Sequence, residues 1–222
     1  MQKFRTPLLC FFLSGEFILY ILILTTGGNT LVWSSYSAIV LCFLFAISGV
    51  SKENWPLVAG LFFTVLADFC LVVCKPIQQL WGMVFFLLTQ AFYAWQLHRG
   101  QANKLTLAIR LGLSLMAGVL CVAVLRAQTD ALALISLFYY VQLIMNIADA
   151  TLRRTQHPLL PVAFVLFLLC DTVVGLQVMS TNYLPIQEGS VLHSILFSGF
   201  NLSWLFYLPS QVLIALSSRN KR

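Results

Sequence analysis

Leu159-Leu160-Pro161-Val162-Ala163-Phe164-Val165-Leu166-Phe167-Leu168-Leu169-Cys170-Asp171-Thr172-Val173-Val174-Gly175-Leu176-Gln177-Val178-Met179 carries a single charge, Asp171, in an otherwise apolar run. At about 1.5 Å per residue, a helix of about 20 residues crosses the roughly 30 Å hydrocarbon core of a bilayer. Working outward, runs of the same kind recur near 7–24, 31–50, 56–74, 80–97, 105–126, 131–148 and 191–216. The breaks are short and polar, such as Thr25-Thr26-Gly27-Gly28-Asn29, Lys75-Pro76 and Gln128-Thr129-Asp130. Of 222 residues, 60% are apolar and 9% charged, and the mean hydropathy is +0.90. A water-soluble domain of this length needs more charge on its outside. Inside lipid, backbone polar groups must be paired internally, which leaves helical bundles or closed barrels. The runs lack the ten-residue alternation of a barrel. The sequence thus predicts an all-α polytopic transmembrane bundle of about eight helices, a single integral membrane domain over 1–222.

The formal charge of +6 sits in the short connections, so it reads as topology and not as a nucleic-acid surface. Lys3, Arg5, Lys52, Arg99, Lys104, Arg153, Arg154, Arg219, Lys221 and Arg222 fall on one side, and Arg110, just inside span five, leans the same way. Only Lys75 and Arg126 fall on the other. Bases stay on the cytoplasmic side, so both termini are expected there, and an even number of spans follows. The first run follows Lys3 and Arg5 as a signal peptide would, but no small-residue cleavage pattern succeeds it, and a retained helix is expected. The expected setting is the lipid bilayer: the inner membrane of a bacterium, or an internal membrane of a eukaryotic cell. Oligomeric state is left open.

Carboxylates inside a span cost a few kcal/mol on insertion scales and mark partners or function. Glu16, Asp68 and Asp171 qualify. Spans three and seven resemble each other: each begins beside proline (Pro56; Pro158 and Pro161) and reaches its aspartate after about twelve residues, with four spans between the two. That pattern hints at two parallel four-helix halves. The reading places both aspartates past the midplane at matched depth, as catalytic groups or as interhelical hydrogen-bonding glue. Polar stripes accompany them: Tyr139, Gln142, Asn146 and Asp149 in span six, Thr89, Tyr93 and Gln96 with Gln90 in span four, and Ser203, Tyr207, Ser210 and Gln211 in span eight. They should face the interior, as hydrogen-bonding seams or as the wall of a polar cavity. His193 reads as interfacial, His98 and His157 as solvated, and most phenylalanines as lipid-facing. Cys70 and Cys74 share a helical face but have no further soft ligands, so no metal is expected. Walker, Gly-x-Gly-x-x-Gly, His-Glu-x-x-His and Gly-x-Ser-x-Gly patterns are missing, and no cofactor is expected.

Four segments carry a family resemblance. They are Leu66-Ala67-Asp68-Phe69-Cys70-Leu71, Gly82 to Phe86 with Gln90 to Tyr93, Phe167-Leu168-Leu169-Cys170-Asp171, and Tyr207-Leu208-Pro209-Ser210-Gln211-Val212-Leu213-Ile214-Ala215. In their order the chain resembles the YhhN-like membrane proteins, the lysoplasmalogenase family. The family pattern has glycine where Ala67 stands, often serine at Cys170, and commonly histidine at Gln90. The resemblance implies a membrane hydrolase that cleaves the vinyl ether bond of a lysophospholipid, the lysoplasmalogen, to a fatty aldehyde and a glycerophospho-alcohol. Such chemistry starts with protonation of a vinyl carbon, giving an oxocarbenium-like cation that water captures. It needs one carboxyl that keeps its proton and one carboxylate, a division that desolvated, neighbouring acids favour. Asp68 and Asp171 are the expected acid and base. Gln90, Tyr93, Tyr139, Asn146, Tyr207 and Gln211 are the expected groups that bind water and the headgroup. A small-solute or proton-coupled transporter, or a non-catalytic protein of this fold, are the alternatives.

Overall fold

The computed structural model describes residues 5–99 and 104–219, so Lys3, Lys221 and Arg222 of the orientation reading lie outside the described residues. Described residues form helices and no strands: α1 (Arg5–Thr25), α2 (Gly28–Ile47), α3 (Trp55–Asp68), α4 (Gln79–His98), α5 (Lys104–Leu125), α6 (Ala131–Leu152), α7 (Leu160–Asn182), α8 (Val191–Leu196) and α9 (Leu202–Ser217). A π-helical turn, Phe69–Val73, prolongs α3. Seven of the helical segments are long and apolar enough to cross a membrane. The protein is an all-helical, multi-pass membrane protein.

The eighth expected span, 191–216, is not one helix. It breaks between Leu196 and Leu202, where Gly199 takes a left-handed backbone (φ +77°) that favours glycine. At the break the Asn201 amide donates to the Ile23 carbonyl at 2.7 Å, covering an orphan acceptor in the last turn of α1. Within α9, Pro209 has no N–H to offer the Leu205 carbonyl one turn back. The Tyr20 hydroxyl of α1 donates to that carbonyl instead, at 3.0 Å. A helix flaw in lipid is thereby satisfied by a neighbour.

The packing order repeats. α1 lies on α2, α2 on α3 and α3 on α4, and likewise α5 on α6, α6 on α7 and α7 on α9. The halves also join reciprocally, α4 against α6 and α9 against α2. Burial follows the same register. Leu57, Leu61 and Thr64 of α3 match Leu160, Phe164 and Phe167 of α7, with Asp68 opposite Asp171. Ile39, Cys42 and Ala46 of α2 match Leu143, Asn146 and Ala150 of α6. Phe86, Thr89 and Gln90 of α4 match Tyr207, Ser210 and Gln211 of α9. The repeat hinted at by spans three and seven therefore extends, in its buried positions, to α2 with α6 and to α4 with α9.

The tightest seam is α3 against α4. A Cβ on Gly60 would stand 2.2 Å from the Tyr93 ring, and the Thr89 hydroxyl donates to the Gly60 carbonyl at 3.2 Å. Small residues let helices approach closely where lipid removes the hydrophobic drive between them.

Candidate functional site

Asp68 closes α3, immediately before the π turn, and Asp171 stands in the middle of α7. Asp68 is buried, with 3% exposure, and its Oδ2 accepts from the Tyr207 hydroxyl of α9 at 2.7 Å. Asp171 is partly buried, and its Oδ2 accepts a short hydrogen bond from the Tyr139 hydroxyl of α6. The two acids do not bond to each other. They are joined through the rings that hold them. Phe86 lies 5.6 Å from Tyr139 and 6.4 Å from Tyr207, and Phe167 lies 6.4 Å and 5.4 Å from the same two rings. Phe86 and Phe167 meet edge-on at 5.7 Å. Four aromatic rings from four helices thus pack into one low-dielectric cluster, and its two tyrosines each hold one of the carboxyls.

The expected binding residues divide into two levels. Tyr139 and Tyr207 touch the aspartates, whereas Tyr93 stacks on Phe164 (5.3 Å between centroids) under that layer. Gln90 and Gln211 follow Phe86 and Tyr207 by one helical turn on their respective helices, and both are fully buried. Asn146 does not reach the aspartates. Its amide donates to Gln90 Oε1 at 2.8 Å and to the Gln90 carbonyl at 3.0 Å, while its Oδ1 accepts from Arg110 at 2.7 Å. The third intramembrane acid, Glu16, is apart from both, accepting from the Cys42 thiol at 3.2 Å.

Three expectations need correction. Arg110, read as a topological base, is buried in the bundle, where it binds Asp149 at 2.6 Å and Gln142 at 2.9 Å. His98, read as solvated, meets the same Asp149 oxygen at 2.7 Å, and His157 is buried. Most described phenylalanines are exposed or half-buried, while Phe12, Phe45, Phe86, Phe164 and Phe167 are core. Sequence reasoning missed Phe86 and Phe167 as site walls because apolar rings carry no mark of function. Their spacing of four residues ahead of Gln90 and Asp171 was the available signal. Among the described residues, no three His, Cys, Asp or Glu side chains gather as a metal ion would need. Buried carboxyls are suited to proton transfer.

A model of the YhhN family matches residues 29–218, from the first turn of α2 to the end of α9. The chain belongs to the YhhN family. YhhN proteins include lysoplasmalogenases, and the matched range holds both aspartates, both tyrosines and the aromatic wall. Neither a curated protein nor a solved structure matches the chain.

Proposed function

We propose that this YhhN protein is a membrane hydrolase that cleaves the vinyl ether of lysoplasmalogens, with Asp68 and Asp171 as its acid and base. One observation carries the reading. Two intramembrane carboxyls, each held by its own tyrosine, border a single aromatic cluster in a family that includes lysoplasmalogenases. The net reaction adds one water: the vinyl ether R–CH=CH–O–R′ becomes the aldehyde R–CH2–CHO and the alcohol HO–R′. One aspartic acid gives its proton to the vinyl carbon. The neighbouring carboxylate stabilises the oxocarbenium-like cation and takes a proton from the water that captures it. The hemiacetal then collapses, expelling the glycerol oxygen. The ring faces of Phe86, Tyr139, Phe167 and Tyr207 add quadrupolar attraction for the cation and keep bulk water out. Tyr139 and Tyr207 hold the carboxyls in place, and Tyr93 supports that layer from the next turn. Gln90 and Gln211 face the glycerol end, with Asn146 behind Gln90.

The test is mass spectrometry of a lysoplasmalogen incubated with the purified protein in deuterated water. Release of fatty aldehyde bearing one new deuterium beside the carbonyl is expected, because the vinyl carbon takes its proton from solvent by way of the aspartic acid. Intact lipid after prolonged incubation would remove the hydrolase reading. Transport is the second reading, favoured by the broken α8–α9 segment and by the π turn after Asp68, since interrupted helices build substrate sites in transporters. Solute flux into liposomes without a chemical product would select it.

A further inference from the structure

Gln90 and Gln211 occupy equivalent places in the two halves, each one turn beyond a ring, Phe86 or Tyr207, of the aromatic cluster, and those two rings lie 6.4 Å apart. Their surroundings differ. In the register of the halves, Asn146, which bonds Gln90, corresponds to Cys42, whose thiol is given to Glu16.

That difference fixes the polarity of one amide and leaves the other open. Arg110 has only donors, so Asn146 must turn its oxygen to Arg110 and its N–H2 to Gln90. Gln90 must in turn present Oε1 to Asn146, which leaves its own Nε2 as a buried donor without a partner. In Gln211, both Oε1 and Nε2 are buried without partners, and so is the Ser210 hydroxyl beside it. Buried donors and acceptors of this kind cost stability unless something binds them. Gln90 is bonded to an amide, and Arg110 and His98 are both held by Asp149, at 2.6 Å and 2.7 Å. An alcohol oxygen, accepting and donating at once, suits a fixed donor and an open amide.

We infer that Gln90 and Gln211 form an amide subsite for the free hydroxyl of the lysolipid's glycerol, with Asn146 and Arg110 as positioning residues that set Gln90 as the donor. The identity of the ligand rests on the hydrolase reading. Such a subsite would distinguish a lysolipid from one acylated at that hydroxyl.

The test reads binding and not turnover. Two saturated sn-1-O-alkyl lysophospholipids, which this chemistry does not cleave, serve as probes: one with the free glycerol hydroxyl, and its deoxy counterpart. The wild-type protein in detergent should bind the hydroxyl probe at least about tenfold more tightly, because the deoxy probe leaves the amides unpaired. Gln90→Met and Gln211→Met should each weaken the hydroxyl probe about tenfold and change the deoxy probe less than about threefold. Asn146→Asp, which cannot donate to Gln90, should lower the same ratio without weakening the deoxy probe. A purely structural role would weaken both probes alike. Should Gln90→Met fail to fold, Gln211→Met, outside the Arg110 network, carries the test. An unchanged hydroxyl-to-deoxy ratio in the folded variants would overturn the subsite while leaving the hydrolase reading intact. A wild-type protein that binds neither probe would overturn both.

Discussion

Tyr139 and Tyr207 each donate to an aspartate that no other described side chain hydrogen-bonds. Replacing either by phenylalanine removes one hydroxyl and leaves the ring in the wall. Tyr207→Phe should cost about 1–3 kcal/mol, because the Asp68 oxygen is left buried and unpaired. Tyr139→Phe should cost less, since Asp171 is more open to its surroundings. Thermal unfolding in detergent measures the difference, and equal costs would contradict the asymmetry. The aspartates themselves were legible in the sequence because a charge in a hydrocarbon span demands a reason. Arg110 was not, because a base one or two turns inside a span looks the same whether it reaches back to the headgroups or turns into the bundle. Only the opposing α6 face, with Gln142, Asn146 and Asp149, decides it.

Elements are held where their regularity fails. The Tyr20–Leu205 bond exists because Pro209 cannot donate to that carbonyl. Tyr20→Phe should therefore destabilise the protein by about 1 kcal/mol. In a Pro209→Ala background, where the N–H of residue 209 is restored, the same change should cost almost nothing. A double-mutant cycle on thermal stability shows a coupling of that size, and additive effects would refute the link. At the α3–α4 seam, Gly60→Ala should cost about 1–3 kcal/mol by overpacking against Tyr93. Span boundaries were readable from hydropathy alone. The break between α8 and α9 was not, because Phe197, Ser198, Gly199 and Phe200 keep the segment as apolar as an unbroken helix, and the break depends on a carbonyl in α1.

At the scale of the molecule, two four-helix halves meet so that an acid from each is bonded to a tyrosine of the same aromatic cluster. Identities between the halves are few, so the repeat was visible only around Asp68 and Asp171. Burial preserves it elsewhere, because packing constrains which positions face inward more than which residue fills them. The basic loops predict that both ends are cytoplasmic: a reporter fluorescent only in the cytoplasm should be bright at either terminus, and silence at both would reverse the orientation. The matched acids give the most direct trial. Purified wild-type protein, Asp68→Asn and Asp171→Asn are incubated with lysoplasmalogen, and aldehyde is followed by mass spectrometry. Release by the wild type, reduced at least about 100-fold in each folded variant, is the expected result. Wild-type rates in either variant would contradict a reaction run by the paired carboxyls.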